Sequence, residues 1–474
     1  MSSENSERPE RKVGPPSGSR LLDVITCPHC WTTFPPEETL WISSDHTSLR
    51  DDPKIPDAAR RFPAERFHLT GDALDARGER CAAFACPNCH LEVPRACFEL
   101  EPFFISIVGG PACGKSFLLP AMTWTLRTIL PRVFATQFLE ADPRFNVKLH
   151  QYEQSLFLNP MQDEPVALEK TQVRGMENLY DQVLFGESVV QYPRPFIFRM
   201  QAADTHGDRA AKKLSGGRTV CLYDNSGESY LPLSEQVGGN FKATDHLGHS
   251  QATFFLFDPT QDMRFREACG GRSHDPQMQA RDSKLGREGD VLQHTILLNA
   301  AARMKRLRGL AESERHSGPL IVVLTKFDAW AGILGVAQDL IRLPMTAPLD
   351  DPDNPSRSRQ GLHRANIDTL SARLRGMLAK HAEEVVNAAE GFSSDVTYLA
   401  CSATGHNVQA TSINGQTAFG IRPRDVKPFW CELPFLVAME RNQLPLLPVA
   451  SSQQHRQAAD RPPGEANHHR PRQG

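Results

Sequence analysis

Residues 103–117 read FFISIVGGPACGKSF, a β-branched and aromatic run that breaks into glycines and closes on Gly114, Lys115, Ser116 and Phe117. The run from Phe103 to Val108 is strand-like, and the pattern GxxxxGK[ST] from Gly109 to Ser116 is a complete phosphate-binding loop. Backbone NH groups must close around phosphate oxygens there, with no Cβ atoms in the way at Gly109, Gly110 and Gly114. Pro111, Ala112 and Cys113 complete the cradle, Lys115 is placed to reach the β- and γ-phosphates, and Ser116 to ligate Mg²⁺. Phe117 onward continues as a helix in which Pro120 falls in the early turns, where proline costs least. Cys113 sits among NH groups that lower a thiol pKa; the plainer reading is a small residue at a variable position.

Working outward, 474 residues exceed the usual single-domain size, so one large domain with a smaller module is expected. Lys+Arg number 53 against Asp+Glu 56, a net charge of -3, which argues against a protein that coats nucleic acid or anionic membrane. The polar N-terminus has no apolar signal core and no stretch approaches the ~20 apolar residues of a membrane span, so a soluble, cytoplasmic protein is expected. Residues 1–20 and 447–474 have the composition of disordered tails. Between them apolar segments alternate with helical patterns, the rhythm of an α/β domain on a mostly parallel sheet.

Strands are predicted at Phe103–Val108, Pro195–Met200, Thr219–Tyr223, Thr253–Phe257, Leu320–Leu324 and Val396–Ala400. Helices are predicted at about 290–312 and 361–389, with polar loops at 266–289 and 346–359. A long insertion, about 120–194, separates the first two strands; in it Asp142-Pro143 reads as a helix cap, with Phe145, Leu149, Tyr152 and Leu156 on one face.

Three later segments narrow the ligand. Strand Thr219–Tyr223 runs into Asp224-Asn225-Ser226-Gly227-Glu228, which places a carboxylate to hold Mg²⁺ through water and a glycine NH to meet the γ-phosphate. Strand Leu320–Leu324 runs into Thr325-Lys326-Phe327-Asp328. A carboxylate at Asp328 accepts from both N1 and the exocyclic amine of guanine, a donor pair that adenine lacks; Lys326 would lie over the base and Thr325 would support the loop with its hydroxyl. After Val396–Ala400, the backbone NH groups of Ser402 and Ala403 are placed for the guanine carbonyl.

Cys27-Pro-His-Cys30 and Cys86-Pro-Asn-Cys89 supply four thiolates of the kind a tetrahedral structural Zn²⁺ takes, although the gap between the knuckles exceeds the usual ribbon spacing. His29, His90, Cys81 and Cys97 are neighbours that could substitute. A redox pair is the rival, but neither knuckle lies in a βαβ pattern.

Taken in order, these motifs resemble the P-loop GTPases of the Ras and translation-factor class. The zinc knuckles, with LEKT at 168–171, FDPTQD at 257–262 and TKFDAW at 325–330, are similar to the bacterial double-GTPase family. The resemblance implies a three-layer α/β P-loop GTPase domain at 101–446 with large insertions, preceded by a zinc-ribbon-like module at 21–100. It implies GTP/GDP, Mg²⁺ and Zn²⁺ as ligands and a protein partner, in that family a second GTPase of conflict or defence systems. The class also needs a switch threonine, for which Thr171 is the candidate, and a water-orienting residue, here Glu228 in place of the frequent Gln. A carboxylate near γ-phosphate is repelled, so intrinsic hydrolysis is expected to be slow. Arg264 or Arg266 is the candidate arginine finger if no partner supplies one. The rival functions are a nucleotide-binding scaffold with little hydrolysis and an ATPase motor or loader.

Overall fold

The computed structural model describes residues 21–44, 51–168, 180–208, 212–213, 216–225, 227–230, 242–273, 275, 278, 292–333, 335, 337–350, 358–406, 408–413 and 416–450. All six predicted strands form and are members of one seven-stranded sheet. In chain order these are β1 (Glu101–Gly109), β2 (Thr136–Glu140), β3 (Phe196–Ala202), β4 (Arg218–Asp224), β5 (Ala252–Phe257), β6 (Leu320–Leu324) and β7 (Val396–Ala400).

Across the sheet the order is β2-β3-β4-β1-β5-β6-β7. From β4 to β7 all neighbours are parallel, whereas β3 and β2 run antiparallel at one edge. The chain builds out on one side of β1 and then crosses to the other, so the strand order reverses at β1. In open parallel sheets such a reversal opens a ligand crevice at the carboxyl ends of the strands. The phosphate-loop sequence begins at the carboxyl end of β1.

Burial along the strands explains their sequence patterns. Every residue of β5 and β6 is buried, which is why both read as unbroken apolar runs. In the other half of the sheet alternate residues part company. Phe103, Ile105, Phe198, Met200, Val220 and Leu222 join a core with the helices, among them α1 (Lys115–Phe134), whose Leu118, Met122, Leu126 and Leu130 form a stripe at helical spacing. Phe104, Ile197, Cys221 and Tyr223 instead meet Ile25, Trp31, Phe34 and Phe98 of the cysteine-bearing segment. That segment therefore covers one sheet face directly, and each large side chain buried there contributes roughly 1.5–3 kcal/mol.

The long insertion carries β2, which the sequence reading missed because only Thr136 and Phe138 of its five residues face inward. Asp142 caps the following turn by accepting from the Arg144 amide, as expected. The helix proper, α2 (Val147–Leu156), buries Leu149, Tyr152 and Leu156. Further on, a hairpin pairs Tyr180–Phe185 with Ser188–Pro193 and packs Val183, Val190 and Tyr192 onto the core of the cysteine segment.

Four expectations are corrected. The predicted helix at 361–389 is two helices, α4 (Arg364–His381) and α5 (Glu383–Phe392), broken at Ala382 where φ is -150°; α3 (Gln293–Arg308) precedes them. The predicted loop at 346–359 contains antiparallel strands Thr346–Asp350 and Ser358–His363, hidden by the Asp- and Pro-rich segment between them. Helix Met263–Cys269 enters the loop predicted at 266–289, its first amides satisfied by Asp262. Residues 447–450, expected to be part of a tail, are folded: Leu447 is buried, and Val449–Ala450 pairs with Leu362–His363.

Candidate functional site

Because β1, β4, β5, β6 and β7 are mutually parallel, the loops leaving them share one edge of the sheet. Gly109 ends β1, and a Cβ there would meet Cys113 Sγ at 2.7 Å and Leu256 Cβ at 3.0 Å. Gly114 has φ +99°, a conformation that only glycine adopts readily, and Ala112 is left-handed at 56°. Lys115 begins α1 and is buried; its Nζ donates to the carbonyl oxygens of Gly109 (2.6 Å) and Gly110 (2.9 Å), folding the side chain back over the loop. Ser116 and Phe117 follow in the first turn, half-buried, and Gly110 and Pro111 form the rest of the loop. The Cys113 thiol is buried 3.8 Å from Lys115 Nζ, and burial pushes its pKa up, opposite to the expected lowering.

Asp224 ends β4. Its Oδ1 is buried with no hydrogen-bond partner among the described residues, and burial pushes the carboxyl up to about 6 against the pull of the Lys115 charge. An orphaned carboxylate oxygen beside the phosphate-loop lysine is the donor type that Mg²⁺ takes, and Ser116 supplies a hydroxyl nearby in the chain. Gly227 and Glu228 lie in the short helical turn Gly227–Tyr230, and Thr171 lies outside the described residues.

The end of β4 is fixed by a stack of rings. Tyr223 lies 4.9 Å from the His246 ring at an interplanar angle of 5°. His246 Nδ1 pairs with the hydroxyl of Ser106 on β1 (2.6 Å), and its Nε2 accepts from Asn225 Nδ2 (2.9 Å). Burial holds this imidazole neutral, with its pKa lowered to about 3. On the other side Tyr223 donates to the Pro28 carbonyl (2.7 Å) and accepts from Trp31 Nε1 (3.1 Å), both residues of the first cysteine knuckle. Trp31 in turn stacks on His249 at 5.2 Å. No motif signals the contacts of Pro28 and Trp31, which join residues about two hundred positions apart.

On the other side of β1, the buried Thr325 donates its hydroxyl to the Cys113 carbonyl (2.9 Å), joining the loop after β6 to the phosphate loop. Lys326 is left-handed (φ 54°), and its Nζ reaches Asp258, Thr260 Oγ1 (3.3 Å) and the Ala112 carbonyl (3.3 Å). The Asp328 carboxylate accepts from Ser402 Oγ; burial raises its pKa and that hydrogen bond opposes the rise. The Ser402 amide donates to the Phe429 carbonyl, so Ser402 serves here through its hydroxyl rather than the NH expected. Ala403 follows it, half-buried.

Arg264 pairs with Asp262 and Glu384, the latter on α5, and Arg266 reaches the Met278 carbonyl (3.4 Å); neither contact is with the phosphate loop. Asp258, part of the FDPTQD run but given no role by the sequence, is fully buried and bonded to Lys326.

The two knuckles are built alike. In each, the amide two residues after the first cysteine meets its sulfur (His29 to Cys27, 3.4 Å; Asn88 to Cys86, 3.3 Å). The residue after the second cysteine is left-handed and donates to the first cysteine's carbonyl (Trp31 to Cys27, His90 to Cys86). The four sulfurs of Cys27, Cys30, Cys86 and Cys89 lie within 4.8 Å of one another, with Cys27–Cys89 and Cys30–Cys86 both at 3.7 Å. A tetrahedral Zn²⁺ with Zn–S of about 2.3 Å needs sulfurs about 3.8 Å apart, so the donor set fits. The other neighbours have their own partners: His90 faces Asp52, Cys81 reaches Ser44 and Glu79, and His29 Nε2 donates to the Glu92 carbonyl. Cys97 is buried, its thiol raised to about 12, and stays outside the cluster.

No protein-family model and no curated protein matches this chain. Among solved structures it is similar to Sup35 complexed with GDP, at 12% identity, covering 64% of this chain and 37% of that one, with a TM-score of 0.20. It is also similar to the signal recognition particle receptor SRb-GTP/SRX complex of Chaetomium thermophilum (11%, 63% and 93%, 0.23). A third likeness is to the S. cerevisiae Ski7 GTPase-like domain bound to GTP (10%, 64% and 43%, 0.19). The chain spans less than half the length of the Sup35 and Ski7 chains. At TM-scores this low the likenesses carry no argument, and the fold rests on its own topology. Among the described residues no helix is long and apolar enough to cross a membrane.

Proposed function

We propose that this chain is a guanine-nucleotide-binding, Mg²⁺-dependent GTPase that works as a slow switch on a protein partner. The observation that carries the reading is the meeting, at one sheet edge, of a lysine folded over a glycine loop, a buried carboxylate oxygen with no partner among the described residues, and a second buried carboxylate on a loop bonded to that glycine loop. In this reading the backbone NH groups between Gly110 and Ser116, other than at Pro111, hold the β- and γ-phosphates and Lys115 exchanges its two carbonyl contacts for phosphate oxygens. Ser116 and Asp224 would hold the cation, which when bound neutralises charge building on the phosphates.

Asp328, oriented by Ser402, accepts the two guanine donors. Gly227 turns its NH to the γ-phosphate and Glu228 orients water, with the repulsion that makes turnover slow. Thr171 is the proposed switch residue. The partner is a protein, a second GTPase if the family resemblance extends that far. Cys27, Cys30, Cys86 and Cys89 would hold a structural Zn²⁺, which sets the knuckle against Tyr223, one residue before Asp224.

Lys115→Ala tests the phosphate half of this site. It should weaken binding of a fluorescent GTP analogue by at least about 100-fold, the loss of charge-assisted bonds to two phosphates. Tight binding by the variant would remove the phosphate-loop assignment.

A further inference from the structure

Asp258 lies in the FDPTQD run and has no assigned role in the proposed site, yet its carboxylate is bonded to Lys326 of that site and to the neighbouring Thr260 and Gln261. The residue follows β5 and is fully buried. Its Oδ1 accepts from the Thr260 amide (2.9 Å) and hydroxyl (2.7 Å). Its Oδ2 accepts from Gln261 Nε2 (2.8 Å) and from Lys326 Nζ. The backbone is held as well, because the Gln293 amide accepts from the Asp258 NH (2.7 Å) and donates to its carbonyl (2.9 Å). Gln261 Nε2 continues to the Pro111 carbonyl (3.1 Å) and Lys326 Nζ to that of Ala112 (3.3 Å), so both side chains that donate to Oδ2 also touch the phosphate loop.

A fully buried carboxylate requires a cation, and the one bonded to it is Lys326. That lysine leaves its loop from a left-handed backbone, and its ammonium reaches both Asp258, after the neighbouring strand β5, and the Ala112 carbonyl.

We infer that Asp258 is a positioning residue for the nucleotide proposed above: it anchors the Lys326 ammonium on the phosphate loop, so that the lysine's four-carbon stem bridges the base-reading and phosphate-holding loops as a fixed apolar bar for a purine face. The two halves of the site are then one unit, braced from β5. A helix-cap role alone would be met by Oδ1 and Thr260, and would leave Oδ2 and Lys326 unexplained.

Asp258→Asn keeps the volume and the Oδ1 acceptor but turns an amide NH₂ toward two other donors, severing the link to Lys326. Titrated with fluorescent GDP, it should bind about 10- to 100-fold more weakly than wild type, the loss of one buried charge-assisted bond. If Asp258 acts through Lys326, the same substitution in a Lys326→Ala background should cost less than about 3-fold, since contacting residues couple. Equal losses in the two backgrounds would overturn the inference.

A measurement on the nucleotide-free wild type needs no variant: amine acylation followed by mass spectrometry should modify Lys326 at least about tenfold more slowly than the exposed Lys380, its ammonium being held by Asp258. Equal rates would also overturn it. A wild-type chain that binds neither GTP nor GDP removes the nucleotide reading and this role with it, whereas binding with uncoupled losses removes this role alone.

Discussion

The cysteine cluster and the edge of the sheet proposed to bind nucleotide are assembled in opposite ways. Each knuckle is closed within six residues by its own amides and one left-handed residue, so four sulfurs meet at metal-binding distance although about fifty residues separate the pairs. The nucleotide edge has no such local closure. Its groups come from loops after five strands, and they converge only because those strands are parallel and ordered around β1. Local hydrogen bonding shapes the first site; topology shapes the second, and leaves Asp224 Oδ1 without a partner among the described residues. The two regions meet at Tyr223, which Trp31 and Pro28 of the knuckle hold from one side and His246 from the other.

The largest expected effect is on the cysteine side. Replacing Cys27 and Cys30 together by serine should abolish one bound equivalent of zinc by elemental analysis, and with it metal-linked stability of about 10 kcal/mol. A double variant that still carries one zinc and melts like the wild type would break the contrast, since the knuckle would then owe nothing to metal.

Trp31→Ala should cost about 3–5 kcal/mol in denaturant unfolding. Phe34→Ala, in the same core but not bonded to Tyr223, is its control. If the knuckle steadies the end of β4, only the Trp31 change weakens nucleotide binding at a given stability loss; parallel effects of both would confine the knuckle to a packing role.

A smaller effect is linked to pH. The folded pKa of His246 is lowered to about 3 by burial, so between that value and the ordinary one near 6.5 the unfolded chain binds the extra proton. Its contribution is complete above about pH 6.5 and is lost as pH falls toward 3, amounting to about 2 kcal/mol by pH 5. His246→Gln should remove that component, so that the drop in unfolding free energy between pH 7 and 5 shrinks by about this amount. An unchanged drop would show that the ring is not held neutral between Ser106 and Asn225.

Much of the fold was legible in the sequence. Strands buried on both faces, such as Leu320–Leu324, announce themselves as apolar runs, and the glycine-lysine pattern at 109–116 fixes a loop whose backbone geometry only those residues allow. β2 was not legible, because an edge strand with two inward residues gives no periodic signal. The paired strands Thr346–Asp350 and Ser358–His363 were hidden because the Asp- and Pro-rich sequence between them reads as loop. In the site, Thr325, Lys326 and Asp328 were visible as a motif, but the assignment of the Ser402 amide failed because Phe429, distant in sequence, takes it. The partners of Asp258 and Trp31 were invisible for the same reason: they are defined by the sheet, and a single sequence does not display which loops the sheet brings together.

The most direct test of the guanine-nucleotide reading is a titration of wild type and Asp328→Asn with fluorescent GTP, XTP and ATP analogues. Wild type should bind GTP at least about 100-fold more tightly than ATP, the asparagine variant should move its preference from GTP to XTP, and neither should gain affinity for ATP. Equal affinity of the wild type for GTP and ATP, or an unchanged base preference in the variant, would contradict it.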